Sequence, residues 1–466
     1  MRKPVNQMFA SEIAAAVQSG SLSACEVVEE TLARIGKLNP ALNAFTEVTG
    51  DRARANAGQI DQRRRDGQSL GPLSGVPFSV KNLFDVQNVG TLAGSKINRG
   101  YPPAQADATL VAKLEAADAI LVGCVNMGEY AYDFTGENAH YGPSRNPHDP
   151  RRMSGGSSGG SGAAVASGMT PISLGSDTNG SIRVPSSFCG LFGLKPTYGR
   201  LSRANTFPFV SSLDHLGPLA RSARDLALAY DAMQGPDALD PMQAGRPIEP
   251  ALPSLEVGIG GLRIARAGSY FARGGEKIAF DAVNHVAAAL GTKEEVEIED
   301  AAMARTAAYL ITMAEGSAQH LSRLRESPMD FDPDVRDRLI AGTMIPAAWV
   351  VQAQKFRRRY REKVLRLFDK VDVILAPSTP CQATLIGQKT MTLDGVEMAV
   401  RANIGIFTQP ISFIGLPVAA VPVWLPDQKL PIGVQVIGAP WREDVVLRVA
   451  HYLETIGAAA APVANV

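Results

Sequence analysis

The feature that most constrains the fold is a run of glycine and serine, Gly155–Gly162, which leads directly into the small and mostly apolar residues 163–168. Glycine and serine often form flexible linkers. A linker would not usually continue into an apolar segment of the kind that packs as a helix inside a domain. We therefore expect the run to lie in the core, where glycine supplies backbone dihedral angles that other residues rarely adopt.

The composition is typical of a globular enzyme. Hydrophobic residues make up 45% of the 466 positions and charged residues 20%, which is enough to build a large core. The 46 basic residues balance the 46 acidic ones, so no global field favours nucleic acid or an anionic membrane. No apolar run approaches the ~18 residues of a membrane span, and residues 1–7 lack the apolar centre of a signal peptide. We expect a cytoplasmic protein without direct contact to nucleic acid or a membrane.

The cysteine pattern does not indicate a metal centre. The four cysteines are scattered along the chain, without a C-x-x-C pair or a nearby histidine at ligand spacing. We therefore expect neither zinc nor a disulfide framework, and a reducing compartment is the default location.

The pattern of apolar residues divides the chain into N-terminal helices, a core of strands and helices, a variable and mostly helical region, and a final set of strands with one helix. The bounds of these segments are 1–65, 72–230, 236–366 and 371–456. Strands that alternate with helices indicate an α/β sheet covered on both faces. The length alone would allow two or three domains. We favour one large domain with a helical insertion, in which the late strands rejoin the first sheet.

Local sequence patterns predict one early helix and one buried strand. Ser23 and Glu26 form a capping box, which predicts a helix from Cys25 to Leu38. Residues 75–80 predict a buried strand that delivers Lys81 at its end.

A second segment of small residues, 175–185, follows a short apolar run. Its backbone amides can converge into a nest that holds an anion, such as the oxyanion that develops on a substrate carbonyl. The candidate donors are the amides of Thr178, Asn179, Gly180 and Ser181. Ser181 is also placed where its hydroxyl could attack the carbonyl that those amides polarise.

A serine hydroxyl is a poor nucleophile until a base takes its proton. None of the six histidines is close to Ser181 in sequence. Lys81 is the alternative, because burial at the end of an apolar strand lowers the pKa of a lysine and the neutral amine can accept a proton. If it stood alone, Lys81 would be interpreted as a salt-bridged lysine at a sheet edge.

The glycine-serine run also matches two other motifs formally. The G-x-S-x-G elbow of α/β hydrolases would make Ser158 the nucleophile, but it needs a strand immediately before it. Residues 146–152 instead indicate a polar loop broken by prolines. A phosphate-binding loop is less favoured still, because its lysine and threonine or serine are missing.

Three ordered motifs resemble those of the amidase signature family: a lysine, the run Gly-Gly-Ser-Ser-Gly-Gly, and residues 175–185, which are followed by Gly-Leu-Lys-Pro-Thr-Tyr-Gly-Arg at 193–200. The resemblance implies a Ser-Ser-Lys triad. In it Ser181 is the nucleophile that becomes acylated, Ser157 is a bridging serine in a cis peptide bond, and Lys81 is the general base. It also implies an α/β/α fold around a large mixed sheet, and chemistry without a metal or an organic cofactor.

Four short segments are similar to a branch of this family that acts on small urea-derived amides in s-triazine degradation; they are 82–85, 91–99, 176–181 and 208–210. This narrower resemblance implies release of ammonia from an N-carboxylated substrate. It also implies a small helical partner that resembles the C subunit of the tRNA-dependent amidotransferase, and we expect a homodimer or a hetero-oligomer. The alternatives are the glutaminase (A) subunit of an Asp-tRNA/Glu-tRNA amidotransferase, a general small-amide amidase, and a catalytically silent scaffold.

Three residues are candidate substrate contacts. Arg357 matches the position where glutaminase relatives hold a carboxylate, although most arginines on such a helix are simply solvated. Asn179 stands where many family members carry glycine, and its side chain could narrow the pocket or bond a polar substrate. Asp177 is expected to orient its loop, and Arg183 to pair with an internal acid. Residues 300–350 are expected to supply variable pocket walls.

Overall fold

The structure is a computed structural model that describes residues 3–466; the first two residues of the predicted N-terminal segment lie outside this range. Its helices are α1 (Ala10–Ser19), α2 (Ala24–Leu42), α3 (Gly50–Arg65), α4 (Thr109–Ala116), α5 (Gly159–Ala166), α6 (Arg183–Cys189), α7 (Ala223–Met233), α8 (Lys277–Ala289), α9 (Ala301–Glu326), α10 (Pro333–Gly342), α11 (Ala347–Leu365), α12 (Val400–Asn403), α13 (Gln409–Ser412) and α14 (Glu443–Thr455). Within the described range, none of them combines the length and the apolar character that crossing a bilayer requires.

The strands are β1 (Phe45–Val48), β2 (Pro77–Lys81), β3 (Ile120–Val125), β4 (Arg145–Asn146), β5 (Asp149–Met153), β6 (Ile172–Asp177), β7 (Phe192–Lys195), β8 (His215–Ala220), β9 (Ile264–Ala267), β10 (Glu295–Val296), β11 (Val373–Pro377), β12 (Thr390–Leu393), β13 (Val396–Ala399), β14 (Val418–Val423) and β15 (Ile432–Gly438). Among residues 3–466, eleven of these strands form one sheet in the order β1-β3-β2-β6-β8-β7-β14-β15-β11-β9-β10.

The sheet is mixed, and it joins early and late parts of the chain. Strands β3, β2 and β6 run parallel to one another, and so do β11, β9 and β10. The strands between these two groups pair antiparallel. Because β11, β14 and β15 lie in the same sheet as β2 and β6, the late strands return to the first sheet. The predicted α/β class with a large mixed sheet is confirmed.

The capping box at the start of α2 is confirmed. Ser23 Oγ accepts the backbone N–H of Glu26 at 3.0 Å, and the Glu26 carboxylate accepts the Ser23 N–H at 2.8 Å. The helix continues past the predicted end at Leu38 as far as Leu42. Leu42 is buried on the same face as Ile35 and Leu38, so packing against the core extends the helix.

Two regions differ from the sequence-based prediction. Residues 146–152, predicted to be a loop, contribute most of the hairpin of β4 and β5. The mostly helical region 236–366 also supplies β9 and β10 at one edge of the sheet. Both pairs are short, and the hairpin carries polar side chains at nearly every position, so neither shows the alternation of apolar and polar residues that predicts a strand.

The glycine-serine run lies in the core and leads into α5, all of whose residues are buried. Glycine is required where other backbone segments approach closely. A Cβ atom at Gly160 would lie 2.5 Å from the carbonyl oxygen of Ala44 and from the backbone nitrogen and oxygen of Asn126. A side chain at this position would therefore displace the backbone around it.

The serines of the run attach it to β6. Ser158 Oγ donates to the carbonyl oxygen of Ser176 at 3.2 Å, and Ser161 Oγ donates to that of Leu174 at 3.0 Å. The Ser176 N–H in turn donates to Ser158 Oγ at 3.3 Å. The glycine-serine run and strand β6, which leads into the second segment of small residues, are thus held side by side.

The packing at Gly160 can be tested with a matched pair of glycine substitutions. We expect Gly160→Ala to lower the free energy of unfolding by about 1–3 kcal/mol through overpacking. Gly58→Ala lies in α3, where an added Cβ would meet nothing within 4 Å, and we expect it to raise that free energy by about 0.4–1 kcal/mol. Urea unfolding of both variants checks this, and an equal change in the two would contradict the close approach at Gly160.

Candidate active site

Lys81 ends strand β2 near the middle of the parallel part of the sheet and is fully buried. Its Nζ atom lies 2.6 Å from Ser157 Oγ and 2.9 Å from Ser176 Oγ. Burial lowers the pKa of Lys81 from 10.5 to about 7, despite the opposing effect of nearby carboxylates. A substantial fraction of this amine is therefore neutral at neutral pH, and the neutral form can accept a proton.

The backbone around Ser157 fixes its hydroxyl beside the lysine. The Gly156 N–H donates to the carbonyl oxygen of Phe134 at 2.8 Å, and the Gly128 N–H donates to that of Ser157 at 3.2 Å. The peptide bond between Gly156 and Ser157 is cis, as the family resemblance implies. A side chain at 156 would collide with the carboxylate of Asp133, so glycine is required there.

Ser176 also lies within hydrogen-bond distance of Lys81, although the sequence analysis assigns no role to it. Parallel pairing of β2 with β6 aligns Val80 with Leu174. The residues that follow at the carboxyl ends of these strands are Lys81 and, two positions beyond Leu174, Ser176. The register brings both residues to the same end of the sheet, and the contact between their side chains is seen only in the structure.

Ser181 lies in the loop between β6 and α6 and lines a small cavity. Asn179, Tyr309, Arg338 and Arg401 also line this cavity. Within the part of the chain that the structure describes, no hydrogen bond joins the Ser181 hydroxyl to another side chain. Of the three predicted catalytic residues, Lys81 and Ser157 are therefore in direct contact. The hydroxyl of Ser181 faces the cavity.

The loop that contains Ser181 has free backbone donors. Among residues 3–466, none of the N–H groups of residues 178–181 donates a hydrogen bond to another protein atom. Two N–H groups that follow them are bonded: the Ile182 N–H donates to Asp177 Oδ2 at 3.2 Å, and the Val184 N–H donates to the carbonyl oxygen of Gly180 at 2.7 Å. Consecutive free N–H groups in one loop are suited to hold an anion.

Asp177 and Arg183 form a fully buried ion pair. Nε and Nη2 of Arg183 donate to the two carboxylate oxygens, each at 2.9 Å, and Nη1 donates to Gln435 Oε1 at 2.6 Å. Burial alone would raise the pKa of Asp177, but the charge and hydrogen bonds of Arg183 hold it well below its usual value. The expected pairing of Arg183 with an internal acid is confirmed, and Asp177 faces this pair and the loop backbone, away from the cavity.

Asn179 offers an unpaired acceptor in the cavity wall. Its Nδ2 donates to Thr312 Oγ1 at 2.9 Å, whereas its Oδ1 is buried without a hydrogen-bond partner among the described residues. Asn179 does not have a left-handed backbone, so what it adds over glycine is its side chain. A buried acceptor left unpaired is costly, and a substrate N–H group would satisfy it.

The structure does not bring Arg357 to the cavity of Ser181. Its Nε donates to the carbonyl oxygen of Phe413 at 2.5 Å and its Nη2 to that of Ser212 at 2.9 Å. Its guanidinium thus ties α11 to two loops. The arginines that do line the cavity, Arg338 and Arg401, come from α10 and α12, and no motif around them marks them in the sequence.

The comparisons with known proteins agree with this architecture. Residues 26–447 match the model of the Amidase family. The chain is 54% identical over 449 residues to AtzE, a 1-carboxybiuret hydrolase subunit of Pseudomonas sp. (strain ADP), covering 96% of this chain and 98% of that protein. It is 37% identical to the A subunit of the Glutamyl-tRNA(Gln) amidotransferase of Carboxydothermus hydrogenoformans, covering 96% of each. The chain therefore belongs to the amidase family and is an amidohydrolase.

Solved structures show the same fold. One is described as an unexpected vestigial protein complex that reveals the evolutionary origins of an s-triazine catabolic enzyme; it is 53% identical, with a TM-score of 0.97, and the match covers 97% of this chain and all of that one. A bacterial aryl acylamidase of the amidase signature family is 27% identical, with a TM-score of 0.88 over 97% of both chains. The resemblance to the s-triazine branch of the family is confirmed.

The buried ion pair gives a stability prediction. Asp177→Asn is expected to lower the free energy of unfolding by about 3–5 kcal/mol, because the Arg183 charge then stays buried without its partner. The matched control is Asp281→Asn, which removes an exposed pair with Lys277 and should cost less than about 1 kcal/mol. Comparable losses in urea unfolding of the two variants would contradict the strong coupling inferred for the buried pair.

Proposed function

We propose that this amidohydrolase uses a Ser-Ser-Lys triad to deaminate 1-carboxybiuret, a small urea-derived amide. The observation that carries the proposal is the contact of Lys81 Nζ with Ser157 Oγ at 2.6 Å, since this lysine is fully buried and its pKa is lowered to about 7. The pair supplies a base without histidine. The 54% identity to AtzE over nearly the whole chain supports the substrate.

The reaction begins with proton transfer towards the lysine. Neutral Lys81 accepts a proton from Ser157, which takes one from Ser181 as the Ser181 oxygen attacks the terminal amide carbon. Negative charge develops on the carbonyl oxygen, and the free N–H groups of residues 178–181 stabilise it. The product of this step is a tetrahedral intermediate bonded to Ser181.

The intermediate then collapses and releases ammonia. The carbon–nitrogen bond breaks while the proton returns through Ser157 to the departing nitrogen. Water attacks the acyl-enzyme that remains, giving its proton to the same relay, and the Ser181 oxygen leaves. The terminal amide has become a carboxylate, and no step in this sequence calls for a metal or an organic cofactor.

The cavity supports a substrate rich in N–H groups. Oδ1 of Asn179 is an unpaired acceptor in its wall, and a urea-derived amide presents an N–H donor on each nitrogen. The Oδ1 atom of Asn179 would thus bind the substrate. The backbone N–H of the same residue would remain free to stabilise the oxyanion. Glutamine hydrolysis for a tRNA amidotransferase is the second candidate, favoured by the 37% identity to the A subunit of that enzyme.

A partner protein is the second part of the proposal. Both relatives carry names that describe them as subunits, and the structure with a TM-score of 0.97 is described as a protein complex. We infer that this chain binds a small helical protein similar to the C subunit of the amidotransferase, in a hetero-oligomer.

The identity of the nucleophile is tested by two neighbouring serine substitutions. Ser181→Ala should lower ammonia release at least ~10³-fold, because the acyl-enzyme cannot form. Ser158→Ala is the control, since the Ser158 hydroxyl bonds to backbone atoms of β6, and we expect it to keep measurable turnover. Ammonia release is assayed with 1-carboxybiuret, biuret, glutamine and a simple aliphatic amide.

A fluorophosphonate probe followed by peptide mass spectrometry identifies the labelled residue independently of the substrate. Labelling of Ser181 and fastest release from 1-carboxybiuret are the expected results. Normal turnover by Ser181→Ala would overturn the triad, and faster release from glutamine would favour the amidotransferase function.

A further inference from the structure

Tyr132 borders the cavity of Ser181 and is almost completely buried. Its hydroxyl oxygen has no hydrogen-bond partner among residues 3–466. Burial raises the pKa of this hydroxyl above its usual value, so it stays protonated at neutral pH and can donate a hydrogen bond. Because buried polar groups in folded proteins are nearly always hydrogen-bonded, an unpaired hydroxyl beside a cavity indicates that a ligand supplies the missing partner.

The ring that carries this hydroxyl is held by two other residues of the same cavity wall. The centroid of the Phe209 ring lies 4.9 Å from that of Tyr132, and the Arg338 guanidinium lies 3.9 Å from the Tyr132 centroid. Nη2 of Arg338 also donates to the carbonyl oxygen of Tyr132, which ties the main chain of this residue to α10. The hydroxyl is therefore fixed before a ligand arrives, and binding loses little rotamer entropy.

Three residues in this wall have a buried polar side-chain atom that lacks a hydrogen bond within the described part of the chain. The atoms are the Tyr132 hydroxyl, Asn179 Oδ1 and Arg401 Nη1. Arg401 Nη1 lies 2.9 Å from Asp133 Oδ1, so its charge is balanced by that carboxylate. The two neutral atoms are an acceptor and a donor. A ligand that satisfies both must present an N–H donor and a carbonyl acceptor.

We propose that the hydroxyl of Tyr132 donates a hydrogen bond to the second carbonyl group of the substrate, the one that does not react, and so selects acylureas over simple amides. The inference rests on the proposed function, in which the substrate is a biuret whose N–H groups alternate with carbonyl groups. Asn179 Oδ1 accepts an N–H group of the same molecule. A simple amide has no second carbonyl group and would leave the hydroxyl of Tyr132 unpaired.

The same contact discriminates between the two candidate substrates. In glutamine the carbonyl group of the side-chain amide is followed by two methylene groups, so no acceptor lies where a biuret has its second carbonyl. Binding glutamine would leave the Tyr132 hydroxyl buried without a partner, which is costly. Tyr132 therefore favours a biuret over glutamine.

Two neutral and stable ureas that differ in one carbonyl group test the inference. N-acetylurea has a second carbonyl group beside its urea group, and N-ethylurea has a methylene group in that place. Binding is measured by ligand-observed NMR titration in the Ser181→Ala background, where no acyl-enzyme can form. Tyr132→Phe is expected to weaken N-acetylurea binding roughly 5- to 100-fold, because the carbonyl group is then buried without a donor, and to leave N-ethylurea binding within about twofold.

The matched control is Tyr130→Phe. Tyr130 is also buried, but its hydroxyl donates to Asn98 Oδ1 at 3.1 Å, and it is not among the residues that line the cavity. This variant should have a lower Tm and unchanged binding of both ureas. Tyr132→Phe removes a hydroxyl without a protein partner and should not lower the Tm.

Two results would overturn the inference. Equal weakening of both ureas in Tyr132→Phe would show that the hydroxyl has a purely structural role. Unchanged binding of N-acetylurea would show that another group binds the carbonyl.

The active enzyme supplies a second readout. Tyr132→Phe should raise KM for 1-carboxybiuret and change kcat much less, because a hydrogen bond to a carbonyl group that does not react is equally strong in the ground state and the transition state. Failure of the wild-type enzyme to release ammonia from 1-carboxybiuret would overturn the proposed function, whereas the comparison of the two ureas would still decide whether Tyr132 binds a carbonyl group.

Discussion

The lowered pKa of Lys81, whose Nζ atom contacts Ser157 Oγ, depends on burial more than on any other property of the molecule. A lysine at the end of a surface strand would stay protonated at neutral pH and could not act as a base. Here β3 and β6 cover both edges of β2, and its whole length is buried. Leaving the amine in this position costs free energy, which the packed sheet around it offsets. The same burial keeps bulk water from the contact between this amine and Ser157.

The second requirement is a rigid loop between β6 and α6. The ion pair of Asp177 and Arg183 is fully buried below the loop, and Thr408 Oγ1 donates to the carbonyl oxygen of Asn179 at 2.6 Å. These contacts hold the main chain from inside while the N–H groups of residues 178–181 stay free. The buried ion pair thus positions the free N–H groups that we propose stabilise the oxyanion.

The features that could be predicted from the sequence are those encoded within short continuous segments of the chain. Lys81, Ser157 and Ser181 lie in segments whose composition is unusual enough to be recognised, and a buried strand before Lys81 is visible as an apolar run. The cavity wall is different, because Arg338 and Arg401 come from helices far apart in the chain and meet only in the folded protein. The short strands β9 and β10 lie in a region predicted to be mostly helical for a similar reason. Their pairing at the edge of the sheet makes them strands, and no local sequence pattern indicates it.

The most direct test of the account is the pKa of Lys81 in the folded protein. It can be measured by NMR titration of 13C-labelled lysine, with Lys81→Met to assign the signal. We predict a midpoint near pH 7, and kcat/KM should rise with pH through the same midpoint, because only the neutral amine accepts a proton. A Lys81 signal that remains that of a protonated amine above pH 9, in an enzyme active at pH 7, would contradict the account.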